Sequence, residues 1–147
     1  MILHHVAIRT ADIMRSIEFY QLLGFTVKER FTAGYTLACW LEGFGGRLEL
    51  MQIPEPKPAP DAFYDEHYVG YYHLSFDITN EEISLPIWLQ QLEDKFIQAS
   101  EENPAVFSPL KILLPPQQQM IVDRIYEVAF VSDIDSIPIE IIRKINN

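Results

Sequence analysis

Four side chains in this sequence have the types and the positions to bind one metal ion together: His5, Glu49, His73 and Glu140. Each lies in a run where apolar and polar residues alternate, as they do in a strand with one buried face. In each run the apolar residues share one face, and the His or Glu lies on the other. If the sheets curl so that these opposite faces line a cavity, the four side chains converge. Two imidazoles and two carboxylates suit one divalent metal ion, with Zn, Ni, Co, Mn and Fe as the candidates.

A simpler interpretation stands beside the metal site. Antiparallel sheets often expose one polar face to solvent, and a glutamate on such a face is ordinary. A single histidine on a strand is more often structural than a ligand. The pairing of one His with one Glu in each half of the chain favours the metal, because internal duplication predicts matching sites. If the face is buried, two neighbouring carboxylates also need a cation or a proton.

The elements that position these residues occur twice along the chain. Each half opens with a strand that carries a histidine, continues with a helix and ends with three more strands. In the first half the strands are predicted at 3–9, 25–31, 35–41 and 47–53. In the second half they are predicted at 71–78, within 106–122, at 125–131 and at 137–142. The sequence therefore predicts an α+β fold in which two βαβββ modules form a curled mixed sheet around a metal cavity.

Local signals set the limits of the helices and modules. Thr10 and Asp12 are candidate caps for a first helix that ends before Gly24, and a second helix runs from Leu85 to about residue 100. Prolines and glutamines at 115–119 interrupt the stretch 106–122, which is predicted as strand, loop and strand. We predict a single domain over residues 1–147, with module 1 at about 1–53, a proline-rich linker at 54–70 and module 2 at about 71–147.

Composition limits the partners. The 147 residues are 48% hydrophobic and carry a formal net charge of -10, so the chain lacks the basic surface that nucleic acids and anionic membranes require. Small molecules are the expected partners. The single cysteine, Cys39, cannot form an internal disulfide, no apolar run approaches the length of a membrane span, and no apolar signal region precedes the first strand. These features predict a cytoplasmic protein.

Five short stretches together resemble a known superfamily. They are residues 3–8, the helix 12–24 with its Ser-Ile-Glu-Phe-Tyr run, and the motifs Leu-Glu-Leu at 48–50, Tyr-His-Leu at 72–74 and Ile-Glu-Ile at 139–141. The chain resembles the vicinal oxygen chelate superfamily, which includes glyoxalase I, methylmalonyl-CoA epimerase, bleomycin- and fosfomycin-resistance proteins and extradiol dioxygenases. The resemblance covers nearly the whole chain and implies that His5, Glu49, His73 and Glu140 are metal ligands. This ligand set is most similar to that of glyoxalase I.

The resemblance also implies a reaction. A glyoxalase-like, metal-dependent lyase or isomerase transfers a proton next to a carbonyl of a small oxygen-chelating substrate. Glu140 is the expected base, with Glu49 as the alternative. Arg9 matches an arginine that contacts glutathione in glyoxalase I, and Arg9 and Arg47 are candidates for binding a substrate carboxylate, although either can be an ordinary surface arginine. Ile53 stands where glyoxalase I usually has an asparagine, so we predict that glutathione is not needed.

Two other functions remain open at this point. One is an iron-dependent extradiol-type dioxygenase, and the other is a resistance-type protein that binds a small molecule without turnover. A fourth protein ligand favours the lyase or isomerase over the dioxygenase, because oxygen activation usually needs more open positions. We also predict a homodimer, since exposed sheet edges and open cavity faces favour pairing with a second chain. The cavity then takes ligands from one chain or from two.

Overall fold

The computed structural model describes residues 1–145, and it contains the βαβββ plan twice. The first module consists of β1 (Val6–Thr10), α1 (Ile13–Leu23), β2 (Thr26–Ala33), β3 (Thr36–Gly43) and β4 (Gly46–Gln52). The second consists of β5 (Leu74–Asp77), α2 (Leu85–Glu102), β6 (Lys111–Ile121), β7 (Arg124–Ser132) and β8 (Pro138–Lys144). The predicted α+β fold of two modules is confirmed. The predicted end of module 2 at 147 lies two residues outside the described part.

The two modules have the same sheet topology. One four-stranded sheet has the order β1-β4-β3-β2, and the other has the order β5-β8-β7-β6. In each sheet the first strand pairs in parallel with the last, and the remaining pairs are antiparallel. A residue in one module therefore has a definable equivalent in the other. Buried residues from both sheets and both helices form one hydrophobic core.

The ends of α1 follow the predicted signals. The Asp12 side chain accepts a hydrogen bond from the backbone N–H of Arg15, which caps the first turn. Gly24 ends the helix with a φ of 131°, and a Cβ at this position would lie 2.7 Å from the ring of Phe44. Only glycine combines that backbone angle with that close approach. Neither α1 nor α2, the helices of residues 1–145, has the combination of length and apolarity needed to cross a membrane.

The prediction of strand, loop and strand over 106–122 is wrong. The structure has one strand there, β6, and it includes Pro115, Pro116 and the glutamines that follow. β6 is the edge strand of its sheet, and its register with β7 shifts between Leu114 and Gln117. An edge position and a bulge are the two places where a strand tolerates proline, because no ladder hydrogen bond is lost there.

Asp133, in the turn between β7 and β8, joins the two modules. Its carboxylate accepts hydrogen bonds from the Tyr20 hydroxyl of α1 (2.8 Å) and from the backbone N–H groups of Asp135 and Ile137 (2.9 and 2.8 Å). Burial raises the pKa of Asp133 to about 6, even though these three donors act in the opposite direction. The neighbouring Asp135 accepts a hydrogen bond from the Thr10 hydroxyl at 2.6 Å, which ties the same turn to β1.

The raised pKa makes stability depend on pH. The folded state holds the Asp133 proton more tightly than the unfolded state, so this group stabilises the fold most below about pH 4, and the contribution is lost as the pH rises through about 6. The difference corresponds to about 3 kcal/mol of unfolding free energy. We expect Asp133→Asn, whose amide can accept from the backbone and donate to Tyr20, to remove this dependence. Urea unfolding of the wild type and of Asp133→Asn from about pH 4 to about pH 7 measures this pH dependence. Curves of unfolding free energy against pH that run parallel for the two proteins would contradict the role of Asp133.

Candidate metal centre

The first module brings His5 and Glu49 together on one face of its sheet. Ala7 of β1 is the register partner of Glu49, and His5 lies two residues before Ala7, just ahead of the start of β1. The Nε2 atom of His5 is 3.7 Å from Oε2 of Glu49. Both side chains are largely shielded from solvent, with 31% of the histidine and 13% of the glutamate exposed.

The second module repeats this pair at equivalent positions. Ser75 of β5 is the register partner of Glu140, and His73 again lies two residues earlier. The distance from His73 Nε2 to Glu140 Oε1 is 3.8 Å, and the exposed fractions are 23% and 18%. The polar residues thus share the face opposite Leu74 and Phe76, which pack against the core. Both pairs have the geometry that strand alternation predicts.

The four residues form two pairs and not one cluster within the chain. Among residues 1–145, no group of three or more His, Cys, Asp or Glu side chains lies close enough to hold a metal ion. Convergence of His5, Glu49, His73 and Glu140 inside a single chain is therefore not what the structure shows. Each module brings together one imidazole and one carboxylate, which is half of the ligand set predicted from the sequence.

The geometry of each pair fits a shared ion better than a direct hydrogen bond. Separations of 3.7 and 3.8 Å are too long for a hydrogen bond. Two ligand bonds of about 2.1 Å span about 3.4 Å at a tetrahedral angle, so small side-chain movements would let one ion bridge each pair. In addition, Nδ1 of His73 is buried and has no hydrogen-bond partner in the described part of the chain. The donor set is compatible with the ions predicted from the sequence.

Arg47 lies beside the first pair, and its guanidinium is already engaged. It donates to Glu42 at 2.5 and 3.1 Å, contacts Nε2 of His4 at 2.6 Å and lies over the ring of Trp40. The hydrogen bond from Arg47 lowers the pKa of Glu42. An open pocket of about 520 Å³ lies next to this cluster, between residues 2–4 and the β3–β4 turn, and neither His–Glu pair lines it. Arg47 as a substrate ligand remains a prediction.

Arg9 differs from Arg47 because its side chain is exposed and makes no hydrogen bond or ion pair with the described residues. It lies two residues beyond Ala7 on the face that carries His5. A guanidinium without a partner, on the same sheet face as Glu49, is free to bind a substrate anion. The prediction for Arg9 therefore keeps its physical basis.

Aromatic rings surround the second pair. Phe130 of β7 is the register partner of Glu140, and its ring lies 5.0 Å from that of His73 and 6.1 Å from that of Tyr72. Burial raises the pKa of Tyr72, and the charge of Glu140 raises it further. This side of the second module is thus less polar than its counterpart in the first.

Sequence reasoning assigned no role to three neighbours of the pairs. Trp40 donates to Glu49 and Ser75 donates to Glu140, and His4 lies 2.8 Å from His5 between their Nδ1 atoms. Strand alternation predicts His4 and His5 on opposite faces, but both precede β1, which begins at Val6, so alternation does not fix the position of either ring. His5 is placed by its 3.7 Å distance to Glu49, and His4 lies next to it. The turn at 43–46 sets the register of the β3–β4 hairpin, and this register places Trp40 opposite Glu49. The turn is therefore the sequence signal from which this contact could have been predicted.

The comparisons with known proteins agree with this fold. The chain belongs to the Glyoxalase/Bleomycin resistance protein/Dioxygenase superfamily, whose sequence model matches residues 2–95. A search of the curated proteins finds no match. Among solved structures, the glyoxylase/bleomycin resistance protein/dioxygenase domain from Frankia sp. EAN1pec is similar, with a TM-score of 0.69, 18% identity and coverage of 100% of this chain and 94% of that one.

Two further structures extend this likeness. The glyoxalase family protein from Enterococcus faecalis has a TM-score of 0.66 and 17% identity over 96% of both chains. The glyoxalase/bleomycin resistance protein/dioxygenase from Alicyclobacillus acidocaldarius has a TM-score of 0.61 and 14% identity over 98% of this chain and 92% of that one. At these identities the likeness establishes the fold and not the reaction.

Proposed function

We propose that this protein is a glyoxalase-like, metal-dependent lyase or isomerase that transfers a proton next to a carbonyl of a small oxygen-chelating substrate. The observation that carries the proposal is the duplicated His–Glu pair. His5 with Glu49 and His73 with Glu140 occupy equivalent sheet positions and have nearly equal separations. A solvated polar face gives no reason for such a match, whereas a duplicated half of a metal site does.

These residues divide the work of the proposed reaction. His5, Glu49, His73 and Glu140 would hold one divalent ion, which when bound acts as a Lewis acid toward the substrate oxygens. Glu140 is the proposed base. Its Oε1 accepts a hydrogen bond from Ser75, while Oε2 has no partner among the described residues and is available to take a proton. The free guanidinium of Arg9 would hold a substrate anion.

A complete site needs two copies of the chain, and we propose that the protein is a homodimer. Each module presents two of the four ligands, so a second chain can supply the other pair. The sheets end in β1 and β2, and in β5 and β6, whose outer edges are available for pairing. Exposed apolar residues, among them Ile2, Leu3 and Val122, support a surface that a second chain covers.

The negative net charge supports a small-molecule partner over nucleic acid, and the single, buried Cys39 supports a cytoplasmic location.

The proposal is tested by metal analysis and by turnover. Protein purified without chelator should contain about one divalent ion per chain. The metal-loaded protein should isomerise or cleave α-acidic carbonyl compounds and should not take up oxygen with catechols. The hemithioacetal of methylglyoxal and glutathione belongs in the same assay, and we expect it to be a poor substrate because Ile53 cannot offer a polar contact.

Glu140→Gln should lower kcat by about 100-fold or more, because an amide cannot accept the substrate proton. The variant is compared with the wild type at equal metal occupancy, so that lost binding is not counted as lost catalysis. A Glu140→Gln variant as active as the wild type would remove Glu140 as the base. Oxygen uptake with ring cleavage would identify a dioxygenase, and absence of turnover with any carbonyl compound would favour a binding protein.

A further inference from the structure

The two candidate glutamates are held in different ways, although their modules have the same topology. Oε2 of Glu49 accepts a hydrogen bond from Nε1 of Trp40 at 2.6 Å. Oε1 of Glu140 accepts a hydrogen bond from the Ser75 hydroxyl at 2.5 Å. In both cases the oxygen that accepts the bond is also the one that faces the partner histidine.

The two donors come from opposite sides of the glutamate strand. Trp40 lies on β3, and the equivalent residue of the second module is Phe130, which has no donor. Ser75 lies on β5, and the equivalent residue of the first module is Ala7, which also has no donor. Each module therefore has a donor at one of the two equivalent positions and none at the other. The duplication predicts matching ligands, but it does not predict that the two glutamates accept hydrogen bonds from different donors.

The two donors also differ in how firmly they position the glutamate that accepts their hydrogen bond. An indole N–H can only donate, and its direction is fixed by the ring. The Trp40 ring is packed against Phe31 at 4.9 Å between centroids, against His4 at 5.2 Å, and under the Arg47 guanidinium at 5.2 Å. Glu49 thus accepts from a donor that three neighbours hold in place.

Ser75 offers a looser support. Its side chain is exposed, its hydroxyl rotates freely, and a hydroxyl can accept as well as donate a hydrogen bond. If the Glu140 carboxylate moves, the Ser75 hydroxyl can turn to follow it or turn to water. The Trp40 indole can do neither for Glu49.

We infer that Trp40 and Ser75 are positioning residues with separate tasks: Trp40 fixes Glu49 as the lasting metal ligand, and Ser75 supports Glu140 as the carboxylate that leaves and moves the proton. The inference rests on the proposed function and assigns the two glutamates within it. In the proton step a C–H bond next to the carbonyl breaks, its electron pair shifts toward the carbonyl oxygen, and an O–H bond forms at Oε2 of Glu140. The O–H bond at Oε2 then breaks, and the proton forms a C–H bond with the electron pair of the enolate double bond while the carbonyl re-forms.

The test compares Trp40→Phe, Ser75→Ala and Ser75→Thr with the wild type. Chelator competition with Zn²⁺ gives metal affinity, and steady-state kinetics at full occupancy gives kcat and KM. We expect Trp40→Phe to weaken Zn²⁺ binding by about 10- to 100-fold with little change in kcat. We expect Ser75→Ala to lower kcat by about 10-fold with metal affinity and KM nearly unchanged, and Ser75→Thr, which keeps the hydroxyl, to restore kcat. Phe31→Leu, which alters the packing of Trp40 but keeps its N–H, should bind Zn²⁺ more tightly than Trp40→Phe.

A second measurement does not need the tryptophan variants to fold. The chain has two tryptophans, and Trp88 on α2 serves as the internal control for Trp40 in ¹⁵N-indole NMR. The Trp40 N–H signal should lie downfield in the wild type, move upfield in Glu49→Ala and move on addition of Zn²⁺, while the Trp88 signal stays in place. A Trp40 signal that responds to neither change overturns the assignment, as does equal loss of Zn²⁺ affinity in Trp40→Phe and Ser75→Ala. If the wild type itself binds no divalent ion, the proposed function fails and the inference fails with it.

Discussion

His73→Ala is expected to lose metal binding almost completely while the protein stays folded. Removing one of two nitrogen ligands should weaken Zn²⁺ binding by more than 100-fold, since even changes outside the ligand set cost about 10- to 100-fold. The free energy of unfolding should fall by no more than about 1 to 2 kcal/mol, because the buried Nδ1 of His73 has no hydrogen-bond partner to lose in the described structure and only the ring contacts with Tyr72 and Phe130 are removed. Elemental analysis and urea unfolding of purified protein measure the two effects.

The matched control is His67→Ala. His67 is exposed in the segment between the modules, and within residues 1–145 its backbone N–H alone makes a hydrogen bond, to Asp65. This variant should keep the metal content of the wild type. Equal metal content in His73→Ala and the wild type would rule out the proposed site, and a large loss of stability in His73→Ala would show that the residue is structural.

Much of the fold and both pairs follow from periodicity alone. The alternation around Leu48-Glu49-Leu50 and Ile139-Glu140-Ile141 places each glutamate opposite two core residues, and the structure has them there. Asp12 and Gly24 mark the ends of α1 because capping and positive φ are local properties of the chain. These features need no knowledge of tertiary contacts.

The features that sequence reasoning missed depend on which strands are neighbours. β6 contains two prolines because it is an edge strand, and edge position is a property of the whole sheet. The buried network of Asp133 with Tyr20 joins residues 113 positions apart, so no local pattern indicates it. Likewise, alternation predicts that His5, Glu49, His73 and Glu140 lie on the polar faces of the sheets, but it does not say whether the faces that meet belong to one chain or to two.

The positions of the two His–Glu pairs favour a site shared between two chains. Each chain carries one His–Glu pair on each sheet, and the described residues of a single chain do not bring the two pairs together. In a symmetric dimer, the first module of one chain can face the second module of its partner, and two sites result. Each site then takes His5 and Glu49 from one chain and His73 and Glu140 from the other.

This arrangement predicts that two metal-free variants restore each other. When His5→Ala and His73→Ala chains are mixed and allowed to exchange, half of the dimers should be mixed, and each mixed dimer should have one intact site and one that lacks both histidines. The mixture should therefore regain about a quarter of the wild-type Zn²⁺ content and activity. A mixture of His5→Ala with Glu49→Ala is the matched control, because both changes fall in the same half-site and no intact site can form. Light scattering on each variant confirms that the dimer persists. A monomer mass across micromolar concentrations, or no recovery in mixtures shown to contain mixed dimers, would contradict a site shared between chains.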